Sequence, residues 1–450
     1  MPNSVPTTLP ETSRQWHQRI WSLTWPIFLA NVTIPLVGLV DTAVIGRLPD
    51  PSYLGAVAVG SMILTALNWI FGFLRMGTTG LTAQALGRRD ATEQTATALR
   101  AGALGIAIGA IIVTLQVPLH DLAFWLVDAS EDVEQSASDY FYIRIWGTPA
   151  LLLHLVNLGI LFGLQKMRAT LLISVVLNLT NTALDVVFVV GFGWGVAGVA
   201  IGTVISEWTA AALGIVIVAR ALPWRHGVSV GALLDPKRIA ELFHVSGNLF
   251  VRSFFLQLPF LTFTALSASL GNLILAANAV LLQFFFLMAY TLDSIAHTAE
   301  TLCGFAFGAK DPSSLNRAIK FTALWSGLMA LSATGGYWLL GDYLIATLTN
   351  IESVQRTAHD YLPWAASLPI VAVWAFLLDG VFIGTTRTAE LRNAMAAALA
   401  CYAGTLWLSL ETLGNHGIWL AMTIFMASRG VLLAAYYPRI PRRAEQLATR

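Results

Sequence analysis

Two segments place polar chemistry where the neighbours are almost wholly apolar. "TIPLVGLVDTAVIGRL", from Thr33, carries Asp41. "ATLLISVVLNLTNTALDVVFVV", from Ala169, carries Asn178, Asn181 and Asp185 at spacings of three, four and seven. Those spacings put all three on one face of a helix. An ionised carboxylate at the centre of a bilayer costs about 2.5–3.5 kcal/mol on insertion scales. Such acids must therefore face protein or water, or hold a proton. Burial disfavours the charged form, and two acids at one depth can share a proton. An acid that loads and unloads protons near physiological pH is what a proton-coupled carrier needs. The competing reading is structural, with Asp41 pinning a helix bent at Pro26, Pro35 and Gly38.

The composition says what surrounds these groups. The 450 residues are 56% hydrophobic and 11% charged, against about 25% charged in a soluble domain. The exterior must face lipid. A net charge of +1 argues against a nucleic-acid partner. Cys303 and Cys401 both lie in apolar segments and read as small core residues. No H-E-x-x-H, G-x-S-x-G or Walker sequence is present, which argues against an enzyme, a metal site, a cofactor and direct ATP drive. The Pro-rich opening, residues 1–15, lacks the apolar core of a signal peptide and reads as a disordered tail.

A spanning helix needs about 20 mostly apolar residues. About twelve such runs occur, near 21–46, 52–75, 93–117, 137–163, 168–191 and 196–219, then 242–267, 273–303, 315–340, 359–384, 389–411 and 416–437. The shorter run at 118–127 reads as interfacial. Basic residues collect on alternate connections, such as Arg88, Arg89, Lys166, Arg168, Lys237 and Arg238, whereas the opposite connections hold only Arg47 and Arg356. The positive-inside rule then puts both termini in the cytoplasm. With that orientation Asp41 and Asp185 fall at similar depth in the outer half. Tyr140 and Thr203 lie at compatible depths.

The two halves repeat at an offset of 221 residues. "LGAVAV" at Leu54 matches "LAANAV" at Leu275, "AQALGRRD" at Ala83 matches "GFAFGAKD" at Gly304, and "GILFG" at Gly159 matches "GVFIG" at Gly380. Six spans per copy is an even number, so both copies enter the membrane in the same sense and are related by an axis along its normal. The expected organisation is a tail at 1–15, an N-lobe at 16–220, a cytoplasmic linker at 221–241, a C-lobe at 242–437 and a basic tail at 438–450. The repeat carries Asp41 onto Thr262 and Asp185 onto Leu406, so coupling through this pair belongs to the first lobe alone. The second lobe has its own charges: Arg252, Asp293, His297, Glu300 and Asp379. They read either as an ion pair locking helices or as a second relay or polar wall. Glu207, Asn157 and Gln283 are further polar groups inside apolar runs. "LLQFFFLMAY" at Leu281 offers aromatic faces and methionine, suited to organic cations and equally to packing.

"WPIFLANVTIPLVGLVDTAVIGRL", "LGAVAVG" and "AQALGRRD" resemble the MATE family of multidrug and toxic compound extrusion transporters. "VRSFFLQLPF", "TLDSIAHTAETLCGFAFGAKD" and "LLDGVFIGTTRTAELRN" resemble its DinF-like branch. The resemblance runs from about Trp21 to Tyr437. It implies the MATE fold: an all-α polytopic membrane protein of twelve transmembrane helices in two six-helix lobes. It also implies an inner-membrane antiporter, a monomer in membrane lipid, that expels bulky organic and often cationic compounds by alternating access. Asp41, Asp185, Asn181, Thr203 and Tyr140 match the family's cation-coupling positions. Asn178, Asn157, Arg252, Gln283, Asp293, Glu300 and Asp379 are candidates for a substrate cavity or a second polar cluster. Acids that some branches use on helices 7 and 10 are poorly matched, which favours protons over sodium. The alternatives are a sodium-coupled drug exporter and a flippase for lipid-linked or amphiphilic substrates.

Overall fold

The computed structural model describes residues 9–45, 51–126, 131–224 and 227–449, with side chains at all of these except 34–45, 51, 52, 54, 66, 67, 69, 126, 131 and 132. The described chain is helical throughout, with no strand among the described residues. Its helices are α1 (Ser13–Ile45), α2 (Pro51–Trp69), α3 (Phe73–Gly87), α4 (Ala91–Thr114), α5 (Gln116–Leu126), α6 (Glu131–Arg144), α7 (Thr148–Gly163), α8 (Met167–Asp185) and α9 (Gly195–Ala221). There follow α10 (Val230–Leu233), α11 (Pro236–Ser269), α12 (Asn272–Gly308), α13 (Pro312–Leu348), α14 (Glu352–Gly384), α15 (Thr388–Leu413), α16 (Asn415–Tyr436) and α17 (Arg439–Ala448). Short 3-10 turns at Ile70–Gly72 and Ile145–Gly147 join α2 to α3 and α6 to α7, so each pair makes one long segment.

Ten helical segments among the described residues are long and apolar enough to cross a membrane. Two further long helices, α1 and α13, complete the expected twelve. The apolar run of α13 is diluted by Ser332, Thr334, Gly335 and Gly336. Of the run at 118–127, residues 118–126 lie in the separate short helix α5, and 127 lies outside the described residues.

The chain divides into two compact units, one of Leu29–Phe243 and one of Met1–Phe28 with His244–Arg450. The 221-residue offset reappears in their backbones. Adding 221 to the bounds of the α2–α3 segment gives those of α12, and adding it to α6–α7 gives those of α14. Left-handed residues recur in register: Arg89 (φ 57°) with Lys310 (φ 56°), Gln165 (φ 59°) with Thr386 (φ 54°), and Gly193 (φ 71°) with Gly414 (φ 52°). The first two pairs end helices in the same way. The amide of Asp90 donates to the Ala85 carbonyl and that of Asp311 to the Ala306 carbonyl, satisfying carbonyls orphaned at a helix terminus. Asp90 and Asp311 then cap the next helix by accepting from the amides of Glu93 and Ser314.

Close helix packing repeats as well. A Cβ on Gly159 would lie 2.6 Å from the Arg75 carbonyl oxygen, and one on Gly163 would lie 2.5 Å from Thr82 Cβ. In the other unit a Cβ on Gly380 or Gly384 would run into the carbonyl oxygens of Ala296 and Glu300. α3 against α7 and α12 against α14 thus approach backbone to backbone, the small-residue packing that drives helix association in lipid. In the Leu29–Phe243 unit, Arg100 of α4 donates Nε to the Leu233 carbonyl at 3.0 Å and Nη2 to that of Ala232, seating α10 on α4. Its Nη1 holds Glu93 at 2.9 Å.

Backbone oxygens cannot move aside as a flexible side chain can. Gly380→Ala is therefore expected to cost at least about 1–3 kcal/mol of stability, read as a lower unfolding temperature in detergent. Gly102→Ala, which meets nothing within 4 Å, serves as the silent control. Equal melting of the two variants would contradict the packing argument.

Candidate functional site

In the Leu29–Phe243 unit, α8 runs as a regular helix to Asp185, and a π-helical turn, Val186–Gly191, begins at the next residue. Such turns are frequent at functional sites. Asp185 is fully buried, at 0% exposure. Its carboxylate lies against Gly202 of α9, where a Cβ would come within 2.7 Å of Asp185 Oδ1. A glycine there leaves room for the acid. One turn earlier, Asn181 Nδ2 donates to Thr203 Oγ1 at 3.1 Å, and that hydroxyl donates to the Val199 carbonyl at 2.9 Å. The buried Asn181 Oδ1 has no hydrogen-bond partner among the described residues. Asn178 Nδ2 donates to Thr33 Oγ1 on α1 at 2.6 Å. Asp41 lies on α1 too, but its side chain is outside the described residues.

A cavity of about 120 Å³ opens beside this cluster, lined by Leu151, His154, Leu177, Asn178, Asn181, Thr203 and Glu207. It brings together three of the expected residues and adds His154 and Glu207. Glu207 is paired with Arg144 by two bonds, 2.9 Å from Nη1 to Oε2 and 3.1 Å from Nη2 to Oε1. The pair closes over the break between α6 and α7, where a Cβ on Gly147 would collide with the Glu207 carboxylate. Trp208 Nε1 donates to the Trp146 carbonyl at the same break, at 3.1 Å. Tyr140 is buried one turn before Arg144, and its hydroxyl meets Ser61 Oγ at 3.0 Å. Asn157 is buried but turns to the Ala211 carbonyl, 3.2 Å away, and not to the cavity.

The second unit arranges its charges differently. Asp379 Oδ2 accepts from Nη2 of both Arg252 and Arg429, the latter at 2.7 Å. All three side chains are buried. Arg429 also stands over the rings of Phe425 and Phe376, 5.6 and 5.8 Å from their centroids. Asp293 adds a negative charge within electrostatic reach of Arg429. Glu300 is buried, with Oε2 3.4 Å from His297 Nδ1. Gln283 is exposed on α12. Sequence reasoning missed Arg429, Arg144 and His154. Their signal is the one that exposed Asp41: a polar group inside an apolar run, as in "FMASRGVL" and "LLLHLVNL".

The MatE family profile matches residues 26–187 and 249–405, which is most of both repeats. The chain belongs to the MatE family. It is 43% identical to DNA damage-inducible protein F of Escherichia coli (strain K12) across 93% of this chain and 92% of that protein. It is 24% identical to the probable multidrug resistance protein NorM of Idiomarina loihiensis across 95% of each. Its fold matches the crystal structure of MATE in the bent conformation with a TM-score of 0.86 at 17% identity, covering 97% of each chain. It matches the outward-facing conformation of a multidrug resistance MATE family transporter with a TM-score of 0.85 at 17% identity, covering 96% of this chain and 97% of that one. MatE proteins are secondary transporters, and this MatE chain is a multi-pass membrane transporter of the DinF-like branch and not an enzyme.

The ion-pair geometry ranks the substitutions in the second MatE repeat. Asp379→Asn strands two buried guanidiniums, whereas Arg429→Gln leaves Asp379 paired with Arg252. Breaking a buried pair costs about 3–5 kcal/mol. Asp379→Asn is expected to lower the unfolding temperature in detergent by more than Arg429→Gln does. The reverse order would contradict the shared-carboxylate arrangement.

Proposed function

We propose that this transporter exports bulky organic, often cationic, compounds in exchange for protons by alternating access, and that the exchange runs through the polar cluster of the Leu29–Phe243 unit. The observation that carries this reading is Asp185: a fully buried acid at an α-to-π boundary, one turn from Asn181, which lines a small cavity together with Thr203. Intramembrane ionisable groups are functional by default because lipid makes them costly. Asp41, Tyr140, Asn181 and Thr203 complete the proposed coupling site. The membrane is the inner one, with both termini on its cytoplasmic side.

Protons are favoured over sodium by the use made of the acid in the other unit. Asp379 already has two guanidinium partners. A carboxylate so committed offers little to an exchangeable cation, so the second unit provides no competing sodium site in this reading. One elementary charge crossing about 100 mV supplies about 2.3 kcal/mol. At about 1.4 kcal/mol per tenfold, that drives a cargo gradient of about 1.7 decades per charge.

In proteoliposomes, an imposed proton gradient is expected to drive flux of a fluorescent organic cation, and an imposed sodium gradient is not. Asp185→Asn is expected to bring driven flux to background while the protein keeps its fold. Gly202→Ala keeps the acid but displaces it, and its flux should fall between wild type and Asp185→Asn. Undiminished driven flux in Asp185→Asn would sink the assignment, and flux driven by sodium would move the coupling ion.

A further inference from the structure

The unit of Met1–Phe28 with His244–Arg450 carries a surface that the transport reading does not use. On α13, Arg317, Lys320, Leu324, Leu328 and Leu331 are all exposed. Their spacings of three, four, four and three put them on one face of the helix. That face changes character along its length. Its first turns are basic, and from Leu324 onward it is leucine, at 48%, 44% and 55% exposure. Leucines that face lipid are ordinary in a spanning helix. Leucines in line with a basic cap match a phospholipid, charged at one end and apolar along the rest.

α17 adds charge at the same end. It packs on α13 and buries Ile440 and Ala444, one turn apart. Tyr437, just before α17, lies within electrostatic reach of Cys303, five residues before the end of α12 at Gly308. α13 begins at Pro312, so α17 sits at its basic end. The buried side chains of α17 are spent on the protein, whereas a helix that inserts into a membrane keeps its apolar face for lipid. Arg439, Arg442 and Arg443 are exposed, and none of the three meets a carboxylate among the described residues. Arg439 stands over the Tyr436 ring, 4.9 Å from its centroid. Arg317 donates to the Glu11 carbonyl at 2.8 Å, a neutral partner that leaves its charge in place. Lys310 lies in the connection just before α13. The acids at this end are Glu11, Asp311 and Glu445, and Asp311 is taken up in capping α13. The balance is positive.

The dimensions fit as well. Lys320 and Leu331 are eleven residues apart, about 16 Å along a helix. Half of a hydrocarbon core about 30 Å thick is about 15 Å, so the leucine row matches the acyl chains of one leaflet. The repeat supplies a contrast. Subtracting 221 from Lys320, Leu324, Leu328 and Leu331 gives Leu99, Ala103, Ala107 and Ala110 of α4. The Leu29–Phe243 unit has neither the lysine nor the leucine row at these positions.

We propose that this surface holds an anionic phospholipid, its phosphate among Arg317, Lys320 and the arginines of α17 and its acyl chains along Leu324, Leu328 and Leu331. The proposal does not depend on the coupling reading. Basic side chains beside a membrane are drawn to anionic headgroups. A zwitterionic headgroup brings a cation of its own into the basic cluster and is disfavoured there. A soluble phosphate satisfies the arginines but leaves the leucine row unused.

Native mass spectrometry of the full chain in neutral detergent reads bound lipid directly. The probes are phosphatidylglycerol, phosphatidylcholine with the same chains, and glycerol phosphate. Wild type is expected to hold phosphatidylglycerol about tenfold more tightly than phosphatidylcholine, the size that a few juxtamembrane charges supply. Combining Lys320→Gln, Arg442→Gln and Arg443→Gln should bring that preference to within about twofold. The lipid-free unfolding temperature should stay where it is, because all three side chains are exposed. Arg356→Gln, which removes an exposed arginine from the first turns of α14, should keep the full preference. Equal affinity for the two lipids in wild type overturns the proposal. So does a preference that survives the triple variant, or one lost equally in Arg356→Gln. Glycerol phosphate bound as tightly as the whole lipid would mark a site for soluble anions and overturn it too. Lys320→Glu makes the same comparison if the triple variant does not fold.

Discussion

The constraint on which the rest of the structure depends is the cost of a polar or charged group away from water. Each acid or base in the spans needs a partner, a proton or a passage to solvent. Most found partners. Arg144 has Glu207, Arg252 and Arg429 share Asp379, and Arg100 has Glu93 with two helix-end carbonyls. These arrangements stitch helices that are far apart in sequence. Their net gain over apolar packing is small, but removing one partner is costly, so they fix which helices lie together. In the proposed account Asp185, buried against Gly202 of α9, is the group that carries the proton.

The two units show how one architecture comes to do two jobs. Helix bounds, left-handed cap residues and glycine-on-carbonyl contacts recur at a constant offset of 221 residues. The chemistry does not recur. Where one unit has Asp185 the other has Leu406, and where the second has Asp379 tied to two arginines the first has Leu158. Backbone close packing tolerates few changes, because a Cβ at Gly380 or Gly159 has nowhere to go. The side chains facing the interior of each unit are freer to diverge. In the proposed account one repeat moves protons and the other is held by fixed ion pairs.

Much of this was legible in the sequence for physical reasons. Lipid forces long apolar runs, so most of the twelve helical segments are visible in hydropathy, and even α5 shows as a run too short to span. A 221-residue repeat announces itself because helix ends need capping acids and left-handed residues at fixed places, as at Arg89 with Asp90 and Lys310 with Asp311. Asp185 and Asn181 stood out as polar residues on one face of a greasy helix. Pairings were not legible. Arg252 has two acids within plausible reach along the chain, and only the packing of α11, α14 and α16 selects Asp379 and brings in Arg429. Glu207 could bond any neighbouring helix, and its choice of Arg144 depends on a glycine at 147 and a break between α6 and α7. His154 looks like one more residue in an apolar run until the cavity beside it is seen. The position of Asp41 on α1 is clear, and its contacts lie outside the described residues.

The central claim is that the buried acid of the Leu29–Phe243 unit holds and releases a proton, while Asp379 of the other unit stays an ionised partner of two arginines. Infrared difference spectroscopy of the reconstituted protein across a pH step reads protonated carboxyl groups directly through their carbonyl stretch. The account predicts a carboxylic-acid band that appears on acidification, is lost in Asp185→Asn and persists in Asp379→Asn. A band that survives Asp185→Asn unchanged, or one that vanishes in Asp379→Asn alone, would contradict it.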